Sequence, residues 1–138
     1  MLAVKVMPRA PFEPRAIADL FKSMRIAIAV CANDLSKELS IDIASGAVQG
    51  EPRALSDAHA FFRESENLLD VVAVGGINTG RDAYIAHLTG AKAVQVGSAL
   101  MKEGAGAPGR IDRELDSLLA EYGHQSVSEI VGKVRLVE

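Results

Sequence analysis

With 138 residues and 49% apolar side chains, the chain has material for one folded domain with a real core, and too much of it to stay disordered. A net charge of −3 and the absence of Trp leave no basic footprint and no aromatic platform for nucleic acid, and no apolar run approaches the ~20 residues of a membrane span. The single cysteine, Cys31, excludes an internal disulfide and fits a reducing compartment, and the N-terminus lacks the pattern of a signal peptide, so a cytoplasmic location is expected.

Residues 2–7 read as a first strand, which Pro8 and Pro11 break. Pro14 suits the first turn of a helix, with Ile17, Leu20, Phe21 and Met24 at helical spacing as its apolar stripe. Residues 26–31 form a second strand, followed by Asn33 and Asp34. Residues 35–50 carry two short apolar alternations and read as a loop, with room for a small hairpin. Pro52 opens the next helix, with Leu55, Ala58 and Phe62 on one side.

The most informative stretch is residues 71–100, VVAVGGINTGRDAYIAHLTGAKAVQVGSAL. A strand over 71–75 ends in Gly75-Gly76, and Thr79 stands three residues before Asp82 as a loose capping box. The helix it opens stops at Gly90, and a second strand over 93–97 ends in Gly97-Ser98. Two adjacent parallel strands that both end in small residues can bring backbone N–H groups close to one anion, and α/β barrels commonly place phosphate at their last two strands. Tight strand-to-helix turns would need the same glycines, so spacing alone leaves both readings open.

Residues 104–109 read as a flexible loop, then Ile111, Leu115, Leu118, Leu119 and Tyr122 mark an amphipathic helix that Gly123 ends. Ser126 and Glu129 have capping-box spacing for a short last helix that Gly132 stops. The order is strand-helix four times plus a terminal helix. This predicts a single α/β domain of parallel (βα) units with right-handed crossovers, about half of the ~250 residues of a TIM-type barrel. His59, His87 and His124 fall on helices or their ends as surface or packing residues, and Glu64 and Glu66 as a solvated helix end. No nucleophile triad, paired carboxylate or metal-ligand spacing stands out.

The pattern GGINTGRDA, then GA, then VQVGSAL, then a helix and SVSEIVGK, resembles the carboxyl-terminal part of class 1 dihydroorotate dehydrogenases, with the soluble, fumarate-using class 1A type the nearer match. VKVMPRAPF and PRALSDAHAFF are similar to the same family. The resemblance implies one half of an FMN-binding (β/α)8 barrel, working in pyrimidine biosynthesis on dihydroorotate and orotate, with fumarate as oxidant. By position it implies that Gly75, Gly76, Gly97 and Ser98 hold the FMN phosphate, that Lys5 lies against the flavin ring, and that Asn33 contacts the pyrimidine. A lysine within an apolar strand is costly unless its charge is used, though one at a strand end can also snorkel to water.

The family's second asparagine and its serine are replaced here by Val30 and Asp34, and its GGIGG turn by IDIASGAVQGEP. Its catalytic base is a cysteine from the amino-terminal half of the barrel; Cys31 sits inside an apolar strand and reads as a small buried hydrophobe. Three outcomes follow: a dihydroorotate dehydrogenase-like flavoprotein, a non-catalytic half-barrel binding FMN or another phosphate ligand, or a degenerate scaffold. A lone half would leave sheet edges open, so a homodimer or a partner half-barrel is expected.

Overall fold

The computed structural model describes residues 2–6, 13–32, 40–49, 57–66 and 68–136. In chain order the elements are β1 (Ala3–Val6), α1 (Pro14–Ser23), β2 (Ile28–Ala32), β3 (Ser40–Ile41), β4 (Ala47–Gln49), α2 (Asp57–Glu64), β5 (Asp70–Val74), α3 (Gly80–Leu88), β6 (Ala93–Gln95), α4 (Ser98–Glu103), α5 (Ala107–Glu121) and β7 (Arg135–Leu136), with single 3₁₀ turns at Gly104–Gly106 and Val127–Glu129. Four strands make one parallel sheet in the order β1-β2-β5-β6, as the alternation of strands and helices predicts.

The register sorts the strand residues into two faces. Val4, Val6, Ala29, Cys31, Val71, Ala73 and Val94 join the helical core, which includes Ala18 and Phe21 of α1, Ala58 and Phe61 of α2, and Leu115 of α5. The opposite face carries Lys5, Val30, Val72 and Ala93 in one row, and Val74 beside Gln95 in the next; Lys5, Ala93 and Gln95 are exposed. Asp70 opens β5 and pairs with Lys92 at the strands' amino ends.

Helix ends follow local rules. Pro14 sits in the first turn of α1, and Arg25 takes a left-handed φ of 55° so that the Ile26 N–H donates back to the Phe21 carbonyl at 2.9 Å. Gly90 and Gly123 do the same after α3 and α5, with φ of 114° and 77°. Phe21 stacks on Phe61 across α1 and α2, and Tyr84 meets Tyr122 edge-on across α3 and α5.

Three expectations are corrected. Leu20 and Met24 do not join the core: they are 53% and 59% exposed, and α1 buries Ala18 and Phe21 instead. Residues 104–109 are helical, because Pro108 is tolerated in the first turn of α5. The last helix is one 3₁₀ turn, and Ser126 caps nothing with its side chain. The C-terminus adds β7, which pairs parallel to β4 of the β3–β4 hairpin. That hairpin turns on Asp42, whose carboxylate accepts from the N–H groups of Ala44 and Ser45, and on Gly46 at φ 70°. Pro52 and Leu55 lie outside the described residues.

Candidate functional site at the carboxyl ends of β5 and β6

Val74 stands opposite Gln95, so the turns that follow β5 and β6 leave the sheet side by side. Adjacent strands lie about 4.8 Å apart, which sets the separation of the turns at their roots. Gly75 and Gly76 have φ of 105° and 74°, a backbone that other residues adopt only with strain. Gly97 is different. Its φ of −113° is open to any residue, and a Cβ built there meets nothing within 4 Å. No clash and no positive φ requires a glycine at this position, which is the N-cap of α4, and the space above the turn is open. Ser98, exposed, begins α4, whose first turn has no side-chain cap and no acidic residue.

Most donors at the start of α3 are already taken by the protein's own acceptors. Thr79 and Asp82 complete the capping box, the Asp82 carboxylate accepting from the N–H groups of Asn78 at 3.0 Å and Thr79 at 2.8 Å. The Gly80 N–H donates to the Glu114 carboxylate at 2.7 Å. Gly80 is a packing residue: a Cβ there would lie 2.4 Å from Glu114 Cβ and 2.5 Å from the Leu115 nitrogen. The α3 terminus is thus turned mainly toward Asp82 and Glu114, while the β5 and β6 turns carry no such carboxylate.

Arg110 of α5 closes the arrangement. Its Nε and Nη2 both donate to the Glu103 carboxylate at 2.8 Å, Nη1 donates to Glu114 at 2.7 Å, and Nη2 donates to the Asn78 carbonyl at 2.9 Å. Glu114 is held below the usual carboxylate range, first by the Gly80 N–H and then by Arg110. Arg110 is pushed further up from its already high value by Glu103 and then Glu114. No local sequence pattern marks either residue. Only the Arg110–Glu114 spacing of four on one helix is visible in one dimension; the contact to Asn78 spans 32 residues.

Gly75, Gly76, Gly97 and Ser98 are thus brought to one end of the sheet. Lys5 stands apart from them on β1, exposed on the face that the helices leave open. Asn33 and Asp34 lie outside the described residues. Cys31 is fully buried on the helix-facing side, away from the Lys5 row, which suits packing and not proton transfer at the open face. His59 and His87 are buried packing residues, each with Nδ1 directed at a backbone carbonyl, of Thr89 at 3.0 Å and Ala91 at 2.7 Å, and burial pushes both imidazoles below their ordinary pKa. Among the described residues no group of His, Cys, Asp and Glu could hold a metal, and no helix is long and apolar enough to cross a membrane. A cavity of about 450 Å³ lined by Phe62, Lys92, Val127, Ser128 and Val131 lies at the other end of the sheet, by the amino end of β6.

Comparison with known proteins converges on one family. The family model described as dihydroorotate dehydrogenase matches residues 1–119. The chain is 34% identical over 133 residues to a protein named probable dihydroorotate dehydrogenase A (fumarate) from Streptococcus pneumoniae serotype 4, covering 88% of this chain and 43% of that one. It is 33% identical over 130 residues to the putative dihydroorotate dehydrogenase A (fumarate) of Streptococcus equi, covering 86% and 42%. Among solved structures, the ligand-free DHODH of Eimeria tenella superposes with a TM-score of 0.73 at 26% identity, over 95% of this chain and 39% of that one. The chain therefore spans about two fifths of the length of these relatives.

Proposed function

Because the chain belongs to the dihydroorotate dehydrogenase family, we propose that it carries the FMN-phosphate end of a class 1A-like dihydroorotate dehydrogenase barrel. The observation that carries this reading is the pairing of two glycine turns at the carboxyl ends of adjacent strands, with Gly97 leaving the space above them open. A phosphate seated there takes backbone N–H donors from Gly75-Gly76 and from Gly97-Ser98, with the Ser98 hydroxyl as a further donor.

FMN, when bound, supplies the hydride acceptor for oxidation of dihydroorotate to orotate. The chain's part is to anchor and orient. The two turns fix the phosphate end, the row Lys5, Val30, Val72 and Ala93 forms the floor beneath the open face, and Lys5 brings a cation to one edge of it. Asn33, just beyond β2, is proposed as the pyrimidine contact. Cys31 faces the helices, so the proton-accepting residue comes from outside this chain. A second copy pairing along the edge strands β1 and β6, each with one neighbour among the described residues, would extend the barrel.

Titration of the purified chain with FMN and with riboflavin, followed by flavin fluorescence, tests the reading. FMN should bind at least tenfold more tightly, because only FMN carries the phosphate. Equal affinities would reject the phosphate assignment. Dihydroorotate turnover by the isolated chain should be absent, since a positioned base is typically worth ~10²–10⁴-fold; robust turnover would refute the assignment of the base elsewhere.

A further inference from the structure

We propose that Arg110, acting through Glu103 and Glu114, is a positioning residue that sets the spacing of the two glycine turns and thereby the phosphate selectivity of the site, an inference that rests on the phosphate reading above. The guanidinium reaches three places in the fold: the last residue of α4, the loop after β5 through the Asn78 carbonyl, and the first residue of α3 through Glu114 and the Gly80 N–H. These are the far anchors of the segments that carry the turns. Gly75-Gly76 is held between β5 and Asn78, and Gly97-Ser98 opens the six-residue helix that Glu103 closes. At 1.5 Å per residue that helix is about 9 Å long, a short rigid lever between clamp and turn.

Arg110 is not itself an anion ligand. Four of its five N–H donors are committed to two carboxylates and a carbonyl, and two carboxylates around one guanidinium leave the local charge negative. Exposed ion pairs contribute little to stability on their own, and Arg110 and its partners are about one-third to two-fifths exposed. What this network supplies is direction. The planar fork binds Glu103 through two parallel N–H donors, a geometry that a lysine ammonium cannot reproduce. A cradle built from backbone donors on two separate turns works only when their relative placement is fixed, since the donors cannot adjust as side chains can.

The test compares wild type with Arg110→Ala and Arg110→Lys. Affinities for FMN and riboflavin are measured by fluorescence titration, and backbone ¹⁵N order parameters are measured on the ligand-free chains. Loss of the clamp should lower FMN affinity at least tenfold and leave riboflavin affinity unchanged, and lysine should not restore it. Order parameters at Gly75, Gly76, Gly97 and Ser98 should fall in both variants, while those of Val71 and Ala73 stay at the values of a rigid strand. A variant that melts earlier yet keeps its preference for FMN and its order parameters would overturn the proposal, leaving Arg110 a stabilising residue only. If wild type itself shows no preference for FMN, the phosphate reading and the selectivity claim both fall, while the order parameters still report whether Arg110 sets the turns.

Discussion

Gly80→Ala should destabilise the protein, although the same change inside a helix is ordinarily favourable. Helix propensity gains about 1 kcal/mol when alanine replaces glycine. Against that, the new Cβ would stand 2.4 Å from Glu114 Cβ, 2.5 Å from the Leu115 nitrogen and 2.6 Å from the Glu114 carbonyl carbon. Normal carbon contacts are about 3.5–4.0 Å, so α3 and α5 must part by roughly 1 Å. Two of the three obstructing atoms are backbone and cannot swing aside. Overpacking of this kind costs about 1–3 kcal/mol, and the upper end applies here. The net is a loss of about 2 kcal/mol. Stretching of the Gly80 N–H bond to Glu114 acts in the same direction. For a chain of this size that corresponds to a fall in Tm of roughly 6 °C, measurable by circular dichroism. Gly97→Ala is the matched control: its Cβ meets nothing and its φ is ordinary, so only the weaker N-cap of α4 is lost and Tm should fall by less than half as much. A Gly80→Ala variant that melts at or above wild type would refute the close α3–α5 approach.

Phe61→Ala should cost about 3–5 kcal/mol, because Phe61 is buried and stacked on Phe21 at 6.4 Å; denaturant unfolding of both chains measures it. Acid should weaken the fold through His59 and His87. Both have depressed native pKa values, so their contribution is fully present above the ordinary 6.5 and is lost as pH falls through the native values. Urea midpoints at pH 7.5 and pH 5.5 should differ, and His87→Gln should reduce the difference. Gly97→Val should stay folded, with at most the small loss of a weaker N-cap, and remove FMN binding, since the side chain would fill the open space over the turn; unchanged FMN affinity in a folded variant would count against the site.

The core of the fold was legible because its signals are local. β5, α3 and β6 announce themselves as an apolar strand, a Thr79–Asp82 capping box, Gly90 and a second strand, and each of these forms. The Gly75-Gly76 and Gly97-Ser98 turns were visible for the same reason. What escaped was settled by tertiary contact. Leu20 and Met24 have helical spacing, but the neighbours that α1 meets lie on the Ala18–Phe21 side. The glycines of residues 104–109 suggested a loop, yet Pro108 falls where a helix tolerates it. Gly80 is a contact between helices that no local pattern marks, because its constraint comes from Glu114 and Leu115, more than 30 residues away. Arg110 could not be singled out in one dimension, since its partners belong to α4, α5 and the loop after β5.

Amide chemical-shift mapping in a ¹H–¹⁵N spectrum, recorded while FMN is added to the ¹⁵N-labelled chain, locates the proposed FMN-phosphate site at the paired glycine turns or elsewhere. The largest shifts should fall on Gly75, Gly76, Gly97 and Ser98, with Lys92 and Val127 unmoved. Shifts clustered instead around Phe62, Lys92, Val127 and Val131, at the cavity on the other end of the sheet, would contradict that assignment.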